Sequence, residues 1–377
     1  MRKLRTRNRV ICILLFAALF VIMGVKVSSA FIIRHLDGGR EEEMSQTSQT
    51  GSGIVIFHTG SGNYQSIIPP VVHETISVAP VFIPLFHSEH VLAAIPADPW
   101  DILYYPVESW RDSRFELFSW DRFPEILIFD ISTKDIQDRL FKRLAFFVEK
   151  AGFSGRLAFD EEIADLHGWN AHNYQASDLA NFFQTARSTN FPLLPEEWEL
   201  EAILLRAGVL RRDSASRIIP GNGAVLSLTR ESPRNLRSRF MVHEVFHGLF
   251  FIDANFREFS HERWEAFPEV GKNLLFAFFE IQAYDTSNKF LLINEFMGHV
   301  LQLPVTQASW YFGQHLPNRL LSEDPLNRHY LPAREEVRDG RPFFPDLARI
   351  FTDEAEVFSR YVNQRWGLAA GRVWRAR

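Results

Sequence analysis

Residues 243–247 read His-Glu-Val-Phe-His, a spacing that carries chemistry when it lies on a helix. There the 3.6-residue period brings His243 and His247 onto one face, one turn apart, so that two imidazoles can bind one metal ion. Glu244 projects beside them, near enough to take a proton from a metal-activated water without filling a ligand position. Its role would be general base. The neighbours Met241, Val242, Val245, Phe246 and Leu249 are uncharged, so the helix is expected to be buried. Two buried histidines and a carboxylate are costly without a partner, and a bound dication supplies one. The alternative is a pair of core histidines satisfied by carbonyls.

A catalytic site of two histidines and a glutamate needs a third protein ligand and leaves the fourth position for water. Glu295 is the best candidate, in a segment from Asp285 to Gln302 that reads as a second buried helix with Pro304 after its end. On that helix Glu295 shares a face with Leu291, Leu292, Gly298 and His299, so a carboxylate and an imidazole stand together on an otherwise apolar surface. A plain ion pair of Glu295 with His299 or an arginine is the competing explanation. Water attack on a carbonyl also needs a donor for the developing oxyanion. Tyr311 and His299 are the catalytic candidates, with His315 and Tyr330 behind them; Tyr311, in Ser309-Trp310-Tyr311-Phe312, also fits an aromatic core position.

His243-Glu244-Val245-Phe246-His247, a strand upstream, and a later helix carrying Asn294-Glu295 resemble the zincin metallopeptidases, in particular their gluzincin branch. The resemblance covers about residues 220 to 305. It implies zinc as the cofactor, His243, His247 and Glu295 as its ligands, and a peptide or protein substrate. It also implies that the strand Ala224 to Thr229 is the sheet edge to which an extended peptide adds. A rival assignment takes Asp253, six residues after His247, where metzincin-like enzymes place their third ligand. The glycine that lets their chain turn is replaced here by Phe250. His261 and Glu262 read as the start of a helix.

These residues must be positioned by the rest of the chain. Short β-branched and aromatic runs at Ile54 to Phe57, Ile67 to Val72, Ile76 to Phe86 and Ile126 to Phe129, broken by Pro and Gly, give a β-rich stretch over 54–132. From 133 the period changes. Thr133 caps a helix to about residue 150, helices fit Ser177 to Thr185 and Pro195 to Arg206, and Gly208 closes the last. Between the first two, His167 and His172 fall in a Gly-containing loop, a surface turn or else a substrate or second metal site. A turn at Pro220 to Gly223 leads into Ala224 to Thr229, whose alternation reads as a half-buried strand, and Ser232-Pro233 then opens the metal-binding helix. Pro345 to Arg365 is a further helix. The expected architecture is α+β: a β-rich N-terminal part, then a mainly helical zincin-like body over 133–377.

The first thirty residues carry Arg2, Lys3, Arg5, Arg7, Arg9 and Lys26 and no acid, with an apolar run from Val10 to Val25 and small residues Ser28-Ser29-Ala30 at its end. That is the layout of a signal peptide, and retention as a membrane anchor is the alternative, although sixteen apolar residues fall short of a full span. Export is expected either way. A polar Ser/Thr/Gly-rich tether follows to residue 53. The single Cys, Cys12, lies in the leader, which excludes disulfides and thiolate chemistry from the body. The 377-residue chain carries a net charge of −5, and without its first thirty residues it holds 46 acidic against 35 basic side chains, a balance that argues against nucleic-acid binding. The leading expectation is an exported zinc metallopeptidase. The alternatives are an inactive zincin-like envelope protein and a metal-free one, binding a peptide, glycan or protein partner.

Overall fold

The computed structural model describes residues 92–375. The leader, the tether and the strand runs between 54 and 86 lie outside them. Within them the chain is mixed α and β, built on a five-stranded mixed sheet with helices on both faces. The strands are β1 (Ile95–Ala97), β2 (Phe115–Trp120), β3 (Phe123–Ile131), β4 (Ala171–Gln175) and β5 (Ala224–Thr229), in spatial order β1-β2-β3-β5-β4. β2 and β3 form an antiparallel pair, β3 and β5 run parallel, and β4 lies antiparallel to β5. Strands from before and after residue 132 therefore share one sheet. Among the described residues no helix is long and apolar enough to cross a membrane.

Period-two alternation divides the core. Ala224, Leu226 and Leu228 of β5 face one apolar cluster, together with Ile126 and Ile128 of β3, while Val225 faces a second with Leu127 and Phe129. The second cluster is covered by helices α1 (Lys134–Glu149), α2 (Ala176–Ser188) and α3 (Pro195–Ala207). The first is covered by α4 (Arg234–Ile252), α5 (Ala254–Ala266), α6 (Glu269–Ile281), α7 (Lys289–Leu301) and α8 (Pro345–Trp366). Helix ends follow the sequence signals: Thr133 Oγ1 accepts from Ile136 N at 3.3 Å, and Gly208 closes α3 in the left-handed conformation.

Two expectations for β5 are corrected. All six of its residues are buried, so it is not half-buried, because helices cover both of its faces and Ser227, on the nominally polar side, accepts a hydrogen bond from Gln137 Nε2. Nor is it the sheet edge: β4 pairs along its outer side. The edge on this side of the sheet is β4, whose sequence Ala-His-Asn-Tyr-Gln lacks the β-branched run that marks a strand. His172 thus belongs to a strand and not to the loop that holds His167. Ser232 caps no helix either; Pro233 occupies the cap position of α4 and no side chain bonds there.

What fixes α4 on the sheet is charge and a small residue. Asp130 at the end of β3 is fully buried and ion-paired to both Arg230 and Arg237, the latter on the first turn of α4. Burial pushes the Asp130 carboxyl up and the two guanidiniums pull it back, so the network stands only while all three partners remain. Further along, a Cβ at Gly248 would come within 3.0 Å of Ile126, and its absence lets α4 lie close on β3.

Candidate metal centre

Helices α4 and α7 cross with His243 and His247 facing Glu295. His243 Nε2 lies 3.5 Å from Glu295 Oε2 and His247 Nε2 lies 3.8 Å from Glu295 Oε1. One donor atom from each residue falls within 4.8 Å of the others, a convergence that other His, Cys, Asp and Glu groups of the described residues do not make. A tetrahedral ion with bonds of about 2.0–2.1 Å keeps its donors roughly 3.3–3.5 Å apart, so these separations suit one after small adjustments. The hydrogen-bonding pattern fits as well. His247 Nε2 and Glu295 Oε2 are buried with no hydrogen-bond partner, and lone pairs left bare in a core are what a cation would satisfy.

The electrostatics of the site are strongly perturbed. Burial lowers His247 to about 4, so its imidazole is neutral and free to donate a lone pair. Burial alone would raise Glu295, but His247 and His243 outweigh it and bring the carboxyl down to about 2. Glu244 is raised to about 7 by burial, against the pull of His243. Glu149, at the end of α1, is buried too and held well above its usual range by burial and by Glu295. Three carboxylates thus crowd one enclosed site, faced by the ammonium of Lys150, itself lowered to about 8 by burial. A dication would relieve that excess of negative charge.

Groups around the three donors hold them in place. The Asn294 side chain is within hydrogen-bonding reach of His247, and its Oδ1 has no other partner, so it can take the Nδ1 proton and leave Nε2 for a metal. Asn173 Nδ2, on edge strand β4, donates to Glu244 Oε2 at 2.9 Å. Gln302 Nε2 donates to His299 Nδ1 at 2.9 Å, which places the His299 proton on Nε2, 3.9 Å from Glu295 Oε2. Tyr311 stands behind this imidazole, its hydroxyl 3.4 Å from His299 Nδ1, and reaches the cluster through it. His315 stacks on Tyr311, and Tyr330 packs on His329 in a separate short helix.

Gly298 is the residue that allows the two helices to meet. A Cβ there would stand 2.7 Å from His247 Cε1, 2.8 Å from His247 Nε2 and 2.9 Å from His243 Cε1. Alanine at a helix interior normally stabilises by about 1 kcal/mol over glycine. Gly298→Ala is expected to do the opposite and to weaken the binding of any metal held there by roughly tenfold or more, as displaced ligand supports do; competition with a fluorescent metal chelator measures it.

The remaining sequence candidates fall elsewhere. Asp253 caps α5 through Phe256 N at 2.8 Å and pairs with Arg365, so it is no ligand. His261 and Glu262 lie in the middle of α5 and not at a helix start. His172 is a core imidazole, stacked on Phe141 with its Nδ1 3.0 Å from Tyr174 Oη. His167 packs edge-on against Trp169 in the preceding loop.

Sequence reasoning missed Tyr284, whose hydroxyl lies near the Glu295 carboxylate and whose ring stacks on Trp169. It also missed Glu149, bonded to Trp169 Nε1 at 3.0 Å, and Asn173. The period of β4 could have shown Asn173: His172 and Tyr174 point into the second core, so Asn173 must face α4.

Beside the donors opens a cleft of about 330 Å³, whose lining includes Glu149, Asn173, Asp178, Phe251, Phe290 and Asn294. Burial lifts Asp178 from 3.8 to about 6. Its proton is therefore held more tightly in the folded chain than in the unfolded one, and stability present below about pH 3.8 is lost as pH rises through about 6. Asparagine does not ionise. Asp178→Asn is accordingly expected to raise the melting temperature at pH 7.5 by a few degrees, with the gain vanishing at pH 3.5; thermal denaturation at both pH values checks it.

No family model, curated protein or solved structure matches this chain.

Proposed function

We propose that the protein is an exported zinc-dependent peptidase of the gluzincin kind, with His243, His247 and Glu295 as metal ligands and Glu244 as general base. The observation that carries the reading is the meeting of those three donors in a buried site, His247 Nε2 and Glu295 Oε2 without hydrogen-bond partners, with Glu244 and an open cleft beside them. A zinc ion there would supply Lewis-acid chemistry, polarising a peptide carbonyl and acidifying water.

The chain's own groups then have defined tasks. Asn173 anchors Glu244 Oε2, leaving Oε1 to take a proton from the attacking water and pass it to the departing nitrogen. The Tyr284 hydroxyl and the His299 Nε2 proton, both beside Glu295, would be the donors to a developing oxyanion. Antiparallel addition along β4 would hold an extended peptide across the site, in place of the β5 edge suggested by the sequence.

Incubation of the zinc-loaded protein with a mixed peptide library, read by mass spectrometry, tests the reading. Cleavage that a chelator stops and added zinc restores supports it. A library left intact with zinc present refutes it.

A further inference from the structure

β4 has a cavity at each end, and the two differ in charge. Toward Gln175 lies the cleft beside the metal centre, with the carboxylates of Glu149 and Asp178 and no lysine or arginine in its lining. Toward His167 lies a cavity of about 470 Å³ lined by Lys150 and Arg319. The first cleft is continuous with the site, because Asn173 and Asn294 line it and also touch Glu244 and His247. Its walls are mixed. Phe251 and Phe290 offer apolar faces, while the Asp178 carboxylate receives one hydrogen bond, from Gln175 Nε2 at 3.2 Å. A carboxylate with no lysine or arginine in the same lining, in a cleft that also holds two phenyl rings, matches a side chain with a long apolar stem and a charged head.

We infer that this cleft takes a basic residue, arginine or lysine, of the peptide substrate, its stem against Phe251 and Phe290 and its head on Asp178. The inference rests on the peptidase reading for its meaning, but the binding it asserts can be measured without turnover. β4 already pairs antiparallel with β5, the more stable arrangement per residue. A peptide added in the same sense runs from the Gln175 end toward the His167 end, which puts the basic residue on the N-terminal side of the scissile bond. Lys150 and Arg319 at the other end repel it and so fix the direction.

The test uses the full chain carrying Glu244→Gln, loaded with zinc, and fluorophore-labelled alanine-rich octapeptides that contain one Arg, one Ala or one Glu at the same position. Fluorescence anisotropy is expected to show the Arg peptide binding at least tenfold tighter than the Ala peptide and the Glu peptide weakest. Asp178→Asn should shrink the Arg-to-Ala ratio at least fivefold. Asn181→Lys, at an exposed position of the same cleft, should bring the ratio to one or below while thermal denaturation shows the chain still folded. Equal binding of the three peptides, or a ratio untouched by both substitutions, overturns the inference. Hydrolysis of the same peptides by the unsubstituted protein is followed in parallel. Charge-selective binding without cleavage keeps the subsite and removes the peptidase reading; cleavage indifferent to the basic residue does the reverse.

Discussion

Glu244→Gln is expected to lower peptide hydrolysis by roughly a hundred- to ten-thousandfold while the protein keeps its zinc, since a positioned base contributes roughly 10² to 10⁴ in rate. The substitution is mild in structure. A glutamine oxygen can still accept from Asn173 Nδ2, and the site loses one of three crowded carboxylates, so the folded state should be no less stable. What disappears is the capacity to take a proton. Stopped hydrolysis with unchanged zinc content separates an enzyme from a scaffold that keeps metal for stability alone. A variant that hydrolyses as fast as the parent would remove Glu244 from the chemistry.

The second large effect concerns the ligands. A metal that binds only the folded chain stabilises it by about 4 kcal/mol at a thousandfold excess over its dissociation constant, roughly a 10 °C rise in melting temperature for a domain of this size. Glu295→Ala and His247→Ala are each expected to abolish that zinc-dependent rise. Asp253→Ala is expected to keep it in full while melting a few degrees lower with or without zinc, because it loses the cap of α5 and the pair with Arg365. A rise surviving in Glu295→Ala but lost in Asp253→Ala would reverse the ligand assignment.

Much of the site was legible because its parts are local. His243, Glu244 and His247 lie within one helical turn, and Asn294-Glu295 stands out as polar residues in an apolar helix capped by Asn288. Strand β5 and helices α1, α3 and α8 were marked by alternation, Thr133, Pro195 and Pro345. The misreadings of the sheet share one cause, which is that pairing partners far along the chain leave no local mark. β5 gave no sign that β4 would cover its outer side, since β4 is five residues long and polar at alternate positions. Tyr284 and Glu149 reach the cluster from a loop and from a helix end, where no period predicts direction. Gly298 was placed on the correct face, but only the crossing of α4 and α7 shows that a single methyl group there would strike both imidazoles.

The most direct test of the account is the zinc content of the purified full chain, by elemental analysis after incubation with zinc and removal of the excess. The account predicts about one zinc per chain, absent from Glu295→Ala and retained in Glu244→Gln. A folded wild-type protein that holds no zinc after this treatment would contradict it and leave His243, His247 and Glu295 as a buried polar cluster without a metal.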